Sequence, residues 1–156
     1  MRASFDNAFI IVVGLEGHFS NDLDDPGNIN LNGTPGFTIW GLSSRYNPGL
    51  TENTTIEEAK NIYLYNYWIP AGCDTSVFPL DICIFDARVN PQNDPNLPGG
   101  SMQELMNQNP ENWQDYLFFR MHRYQRCSKA KFRNGHINRV LKLHEQIKAI
   151  NGRMAA

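Results

Sequence analysis

The segment that most constrains the fold is PLDICIFDARVN, residues 79–90. It begins with proline, which is favoured in the first turn of a helix, and its residues are apolar nearly all round. A helix of this kind is buried on every side, so other elements must pack around it. We predict a central helix here, in which Asp86 needs a partner because burial of an unpaired carboxylate is costly.

An apolar row at helical spacing predicts the N-terminal helix. Its members, at i, i+4 and i+7, are Phe5, Phe9 and Val12. We predict a helix over residues 5–16, with Ser4 as its N-cap and Gly17 at its end. The next position of the row is Glu16, which would therefore lie near the end of the helix on its core-facing side.

The other helices follow from capping and periodicity. Thr55 and Glu58 form a capping box that opens a helix over residues 56–68. Further helices are predicted over residues 101–107, 111–126 and 136–150. The apolar faces of the last two contain Trp113, Leu117, Met121 and Tyr124 in one helix, and Ile137, Val140, Leu141, His144 and Ile147 in the other. No pattern of parallel strands is visible, so the predicted class is mainly α.

Residues 18–53 form a different kind of segment. They are rich in Gly and Asn and contain Pro26, Pro35 and Pro48. Such a composition predicts a long loop region, with room for a short β-hairpin around FTIWGLS. A loop of this length inside a compact domain is usually functional.

Length and charge set further bounds. A chain of 156 residues suits one domain with a single core. The net charge of −2 hides an asymmetry, because residues 120–156 hold ten Lys or Arg residues against one acid, Glu145. This basic third could bind a polyanion, either nucleic acid or an anionic wall polymer. It could equally be a solvated helix face that balances the acidic N-terminal part.

Neither a metal site nor a disulfide framework is indicated. The three cysteines are an odd number without CxxC spacing, so we expect buried free thiols. They are Cys73, Cys83 and Cys127. The histidines His122, His136 and His144 lack a metal-ligand spacing, and we expect no metal and no cofactor. The chain has no apolar run long enough for a membrane span, and an acidic residue lies where a secretory signal would be basic.

The predicted position of Glu16, at a helix end and on the core-facing side, makes it a candidate general acid. Burial raises the pKa of a carboxyl group because the charged form loses hydration, and the dipole at a helix C-terminus acts in the same direction. An acid that keeps its proton near neutral pH can donate it to a leaving oxygen, as in glycoside hydrolysis. That reaction needs a second participant, and Asp22, Asp24 and Asp25 lie in the following loop. The alternative is an exposed glutamate at a helix end.

Four blocks of the chain occur in a recognisable order: EGHFSNDLDDPG, GFTIWGLS, EEAKNIYLYNYWIPAGCD and LDICIFDARVN. They are similar, in turn, to an EGGY motif with an ND and DPGG run, a TxxGIT element, an AxxIYxxxYW helix and an FDxxVN helix. Together they resemble the glycoside hydrolase family 108 muramidases of phage and bacteria. Farther on, FFRMHRYQRC and KFRNGHINRVLKL resemble the peptidoglycan-binding region that follows this core.

The resemblance implies a single lysozyme-like domain over residues 1–156. Its catalytic core would be residues 1–92, and residues 93–156 would be a helical part that binds peptidoglycan. The implied activity is cleavage of the β-1,4 bond between N-acetylmuramic acid and N-acetylglucosamine. The implied general acid is the motif glutamate, Glu16.

The second carboxylate is expected in the loop that follows Glu16. Asp25 is the first choice and Asp22 the second, in a cleft between the loop 18–50 and the central helices. Whether the enzyme retains or inverts depends on the separation of the carboxyl groups. We expect the substrate to be bound by His18, Asn21, Thr38, Trp40 and Asn90.

The chain departs from the family pattern at several points. His18 and Asn28 replace the second glycines of EGGY and DPGG, and NINLNGTP is inserted before GFTIWG. The NHG that usually follows FDxxVN is changed at residues 90–92, and His136 replaces the Trp of KFxxGW. His18 could fill a subsite, tune Glu16 or be an exposed loop histidine.

These departures keep an alternative open. The chain could be a catalytically inactive wall-binding or phage structural protein that retains the fold. A nucleic-acid-binding module based on the basic third is a second rival, and it leaves the acidic, loop-rich part without a task. Asp86 and Asn90, at i and i+4, could face a cleft or make structural hydrogen bonds.

The expected partner is the peptidoglycan glycan strand. We expect a monomer that binds no nucleic acid and does not insert stably into a membrane. The resemblance implies synthesis in the cytoplasm without a signal peptide, followed by action on the cell wall, in the periplasm or outside, after release through a holin or a dedicated exporter.

Overall fold

The computed structural model describes residues 2–14, 19–90, 112–127 and 130–154. Within these ranges the protein is mainly helical with one small antiparallel sheet, which confirms the predicted class. The helices are α1 (Arg2–Val13), α2 (Ile56–Tyr63), α3 (Leu80–Val89), α4 (Trp113–Cys127) and α5 (Ala130–Met154). The strands are β1 (Phe19–Ser20), β2 (Thr38–Ile39) and β3 (Leu42–Ser43). The chain forms two compact units, residues 1–12 with 67–156, and residues 13–66.

Helix α3 is the core of the first unit, as its composition predicts. Its residues 81–87 are all buried. The rings of Phe5, Trp68 and Phe85 meet edge to face, with centroids 5.4 to 5.9 Å apart. Helix α4 packs against both α3 and α5. The free thiols of Cys73 and Cys83 are buried, as expected, while the side chain of Cys127 lies outside the described residues.

The start of α1 corrects one prediction. The helix begins at Arg2, so Ser4 lies inside it and is not its N-cap. The Ser4 hydroxyl instead donates a hydrogen bond to Oδ2 of Asp81. The predicted buried row is confirmed, since Phe5, Phe9 and Val12 are all buried.

The end of α1 corrects another. The helix ends at Val13, before it reaches Glu16, and Gly14 takes a φ of 70°. Glycine adopts this left-handed conformation without a steric penalty and is therefore the usual residue just past a helix end. Glu16 and Gly17 lie outside the described residues.

The later helices also differ in length from the predictions. The capping box of Thr55 and Glu58 is present, but α2 ends at Tyr63 and continues as a π-helical turn, Leu64–Trp68. Helix α5 is longer at both ends than the predicted 136–150 and passes through Gly135. A glycine inside a helix costs only about 1 kcal/mol relative to alanine, which neighbouring turns can offset. The predicted helix over 101–107 lies outside the described residues.

The buried row of α5 is shifted from the predicted face. Val140, Leu143 and Ile147 are buried, whereas Leu141 is 48% exposed. The buried residues keep the spacing i, i+3 and i+7. The predicted face therefore had the correct period, but it contained Leu141 and lacked Leu143. Within the described ranges, no helix is both long enough and apolar enough to cross a membrane.

The second unit contains the small sheet, in the order β1-β2-β3 with both pairings antiparallel. Strands β2 and β3 form the predicted hairpin, and β1 adds a third strand. The two residues of the hairpin turn are Trp40 (φ 52°) and Gly41 (φ 77°). Positive φ at both positions is the geometry of a type I′ turn, which matches the twist of the strands. A Cβ atom at Gly41 would lie 2.9 Å from the Tyr63 hydroxyl oxygen, so a side chain there would displace that hydroxyl.

Candidate active site

Asn28 organises the loop that carries the predicted aspartates. Its side chain is completely buried in the second unit. The amide nitrogen donates to the Ser20 hydroxyl at 3.2 Å and to the Asp22 carbonyl at 2.9 Å, and the amide oxygen accepts from the Thr38 hydroxyl at 2.7 Å. We call Ser20, Asp22, Asn28 and Thr38 the Asn28 network. It ties β1, β2 and the aspartate-bearing turn together, and glycine at position 28 could not make these bonds.

Asp22 and Asp25 are both exposed, and each uses one carboxylate oxygen in a local turn. Oδ1 of Asp22 accepts from the backbone N–H of Asp24 at 3.0 Å. Oδ1 of Asp25 accepts from the backbone N–H of Gly27 at 2.8 Å and caps the 3-10 helix Pro26–Asn28. These bonds fix the direction of both side chains. Among the described residues, neither Oδ2 atom has a hydrogen-bond donor, so each carboxylate keeps one oxygen open to solvent.

The predicted substrate-binding residues of the second unit differ in their surroundings. Asn21 is exposed between β1 and the aspartate turn. Thr38 is half-buried and belongs to the Asn28 network. Trp40 is half-buried, and its indole Nε1 donates to the Thr54 carbonyl at 2.7 Å. The Trp40 carbonyl accepts from the Tyr63 hydroxyl at 3.2 Å, so the hairpin turn is anchored from both sides.

Asp86 has the partners that its burial requires. Its carboxylate forms ion pairs with Arg120 at 2.5 Å and with Arg139 at 2.6 Å. Burial alone would raise the pKa of Asp86, but the two guanidinium groups outweigh that effect and hold the pKa below its ordinary value. Asp86 is therefore charged in the folded protein. Arg120 is completely buried, and the proximity of Asp86 raises its pKa despite the burial.

Asn90 belongs to the same cluster. It follows the last turn of α3, and its backbone N–H donates to the Asp86 carbonyl at 3.0 Å. With its amide oxygen turned towards Arg139, that oxygen lies 2.6 Å from Nη2. Arg139 Nη2 also lies 3.2 Å from the Val12 carbonyl, near the end of α1. The side chains of Asp86 and Asn90 therefore make structural contacts in the first unit, one of the two interpretations left open by the sequence.

The basic third of the chain is partly an internal feature. Arg120 and Arg123 are completely buried, and Arg139 is bound to Asp86. Arg120 and Arg139 use their charge to pair with Asp86 on the buried helix α3. The basic third therefore owes part of its composition to packing around one buried aspartate.

The histidines make ring contacts. His136 lies over Tyr124 with ring centroids 4.8 Å apart, so it keeps an aromatic contact at the position where the family pattern has Trp. Burial, with Arg120 and Arg139 nearby, lowers the pKa of His136. His144 lies against Trp113 at 5.2 Å, and His122 against Phe118 at 4.6 Å. No group of three or more His, Cys, Asp or Glu side chains suited to a metal occurs in the part of the chain that the structure describes.

The sequence model of glycosyl hydrolase 108 matches residues 9–91. The matched segment includes Glu16, the Asn28 network and all of α3, and it covers more than half of the 156 residues. The chain belongs to glycosyl hydrolase family 108. No curated protein and no solved structure gives a significant match.

As a family 108 glycoside hydrolase, the protein carries its predicted site residues in two groups. Asp22 and Thr38 meet through the Asn28 network, with Asp25 in the adjoining turn, while Asn90 joins the Asp86 cluster of the first unit. Glu16 and His18 lie within the family match but outside the described residues. Their proposed roles stay predictions.

The ion-pair partners of Asp86 were not predicted from the sequence of this family 108 protein. Arg120 and Arg139 were counted only as part of the basic third. A signal was available for Arg120, because it lies at i+7 from Trp113 and i+3 from Leu117 on the predicted apolar face. A cation on an apolar face and an aspartate on a buried helix predict one another as partners.

Proposed function

We propose that this family 108 protein is an N-acetylmuramidase that cleaves the β-1,4 bond between N-acetylmuramic acid and N-acetylglucosamine in peptidoglycan. The observation that carries the proposal is the family match over residues 9–91. It contains the glutamate of the EGHF block and both aspartates that could assist it. The activity would therefore reside in this segment.

In the proposed mechanism Glu16 protonates the glycosidic oxygen as the bond to the leaving sugar breaks. A second carboxylate, Asp25 or else Asp22, stabilises the positive charge that develops on the sugar ring or orients the attacking water. The exposed, turn-anchored carboxylates of both residues support this role, because each has a fixed direction and one open oxygen. His18, Asn21, Thr38 and Trp40 are proposed to bind the glycan, and the half-buried Asn90 is proposed to do so in addition to its contact with Arg139.

The Asn28 network supports a preorganised loop at this position. The exposed aspartate turn is fixed to the sheet through a buried amide, so its carboxylates need little ordering when substrate binds. We propose that the protein acts as a monomer on glycan strands of the cell wall, reached through a holin or an exporter. The burial of Arg120 and Arg123 counts against a nucleic-acid module, because these charges cannot reach a phosphate backbone.

The proposal is tested by the loss of turbidity of purified peptidoglycan. Wild type should clear the suspension, and Glu16→Gln should lower the rate by about 10² to 10⁴, the usual contribution of a general acid. Glu52→Gln, at an exposed glutamate in a turn, serves as the matched control and should keep full activity.

Two outcomes would count against the proposed roles. Equal clearing by wild type and Glu16→Gln would remove Glu16 from the mechanism. Binding of wild type to the wall without any clearing would favour the catalytically inactive wall-binding protein.

A further inference from the structure

A pocket of about 610 Å³ lies in the second unit, lined by residues 30–32, Phe37 and residues of the segment 44–50. This volume is in the range of small-molecule sites. Part of its wall comes from NINLNGTP, the insertion that the family pattern lacks. We propose that this pocket is a glycan-binding site for an N-acetyl amino sugar that carries a carboxylate, as muramoyl sugars do.

The apolar part of the pocket suits the face of a sugar ring. Leu50 is buried and Phe37 half-buried, whereas Leu31 and Tyr46 are 72% and 67% exposed on the same pocket. Phe37 is held in place by stacking on Phe19, with ring centroids 5.7 Å apart. Aromatic and aliphatic surfaces of this kind cover the apolar faces of pyranoses and the methyl group of an acetamide.

Arg45 supplies the charge for the carboxylate. Its Nη1 donates to the Ile29 carbonyl at 2.7 Å and its Nε to the Tyr46 hydroxyl at 3.2 Å. Its guanidinium carbon lies 5.5 Å from the centroid of the Tyr46 ring. The side chain is thus fixed before any ligand arrives, and Nη2 has no hydrogen-bond partner among the described residues. A fixed guanidinium with open donors is the usual partner of a carboxylate.

Two more donors belong to residues that line the pocket. Oδ1 of Asn32 accepts from the backbone N–H and the hydroxyl of Thr34, at 3.1 and 2.7 Å, while its Nδ2 has no partner in the described part of the chain. The Tyr46 hydroxyl accepts from Arg45 and keeps its own hydrogen. No acidic side chain is among the lining residues. A ligand that matches this wall is rich in acceptors and negatively charged.

The ligand class rests on the proposed function, because peptidoglycan is the source of such sugars. The carboxylate could be the lactyl group of muramic acid or a carboxylate of the attached peptide, and both would meet Arg45 in the same way. A contact at this pocket would let the protein hold a glycan strand mostly through residues that lie outside the four blocks that resemble the family motifs.

The test is a series of protein-observed NMR titrations of the full chain with three ligands: N-acetylmuramic acid, N-acetylglucosamine and N-acetylmuramoyl-L-alanyl-D-isoglutamine. N-acetylglucosamine lacks the carboxylate and is the matched control ligand. We expect at least one of the two acids to bind about tenfold more tightly than N-acetylglucosamine. Tighter binding of the free acid assigns the lactyl carboxylate, and tighter binding of the dipeptide assigns the peptide carboxylate.

Single-residue variants test whether the preference for the acidic ligands arises at this pocket. Arg45→Gln should abolish the preference for the acids, and Arg88→Gln, at an exposed arginine of α3, should retain it. Tyr46→Ala should weaken the binding of all three ligands about tenfold. Because Tyr46 is highly exposed, this variant should still fold. Equal affinities for the three ligands, or an undiminished preference in Arg45→Gln, would overturn the proposal.

Hydrolysis measured on the same preparations separates the two proposals. If the protein binds the acids preferentially but does not hydrolyse peptidoglycan, the proposed muramidase activity is wrong and the proposed glycan-binding pocket stands. If the protein hydrolyses peptidoglycan but binds the acidic and neutral sugars with equal affinity, the proposed pocket is wrong and the proposed muramidase activity stands.

Discussion

Asn28 is the single residue with the clearest structural effect in the predicted catalytic loop. The family pattern has glycine there, and the change was a reason to doubt the site. The structure shows a buried amide that makes three side-chain hydrogen bonds. The departure therefore adds a cross-link between the aspartate turn and the sheet.

Replacement of Asn28 by glycine should lower the free energy of unfolding by about 2 to 3 kcal/mol, since it removes those bonds and leaves the Thr38 hydroxyl without its acceptor. Urea titration followed by circular dichroism measures the change. Asn21→Gly, at an exposed position of the same loop, should cost less than about 1 kcal/mol. Equal losses in the two variants would show that the Asn28 network does not stabilise the loop.

The aspartates can be compared without disturbing their turns. Asparagine keeps the side-chain oxygen that accepts from the backbone but carries no charge, and it is as good a cap as aspartate. If Asp25 assists Glu16, Asp25→Asn should lower the rate of peptidoglycan hydrolysis about a hundredfold or more, while Asp22→Asn should have a smaller effect. Glu52→Gln, at an exposed glutamate in a turn, is the control and should keep full activity. The reverse order of the first two variants would assign the role to Asp22.

Among the helices, periodicity and capping identified those within the described ranges, but not all their ends. The apolar surround of α3 and the capping box of α2 are local signals, and both are confirmed. The end of α1 at Val13, where Gly14 takes a positive φ, was not predicted, because the sequence offers more than one glycine at which the helix could end. Strand β1 was not predicted, because two residues carry no readable period.

Asp86 of α3 forms ion pairs with Arg120 of α4 and Arg139 of α5. Asp86→Asn should lower the free energy of unfolding by about 3 to 5 kcal/mol, because it leaves Arg120 charged, fully buried and without its counter-ion. Urea titration measures the loss. Asp115→Asn, in the first turn of α4, should cost less than about 1 kcal/mol. A small loss in Asp86→Asn would mean that the ion pairs contribute little to the packing.

His136 of α5 should make stability depend on pH in the mildly acidic range. Burial and two nearby arginines lower its pKa in the folded state, so the unfolded state takes up protons first as the pH falls. The stabilisation from neutral His136 is present above the unfolded pKa of about 6.5 and is lost as the pH falls through the lowered value. Urea midpoints between pH 7.5 and 5 should therefore fall less steeply in His136→Phe, which keeps the ring over Tyr124. An unchanged slope would exclude His136 as the cause.

Across the full chain, periodicity predicted the fold class, but composition did not reveal the role of the basic residues. Arginine is usually exposed, so the ten basic residues of the last third were read as a surface. The structure assigns Arg120, Arg123 and Arg139 to the interior or to an ion pair. A charge count cannot reveal this, because burial depends on a partner that is distant in sequence.

The candidate site was predictable only in part, for a related reason. The order of the sequence motifs predicted Glu16, Asp22 and Asp25 as site residues, because these residues are close in sequence. It did not reveal the Asn28 network or the pocket beside Arg45, because both depend on how the inserted loop folds back onto the hairpin. Site residues that are close in sequence can be predicted from sequence motifs. The contacts that an inserted loop makes can be identified only in the folded structure.

The proposed activity is decided by mass analysis of the fragments that wild type releases from purified peptidoglycan, after borohydride reduction of their new ends. A muramidase with Glu16 as its acid should release muropeptides that end in reduced N-acetylmuramic acid, and Glu16→Gln should release almost none. Fragments that end in reduced N-acetylglucosamine, or peptides freed without any new reducing sugar, would show that a different bond is cut.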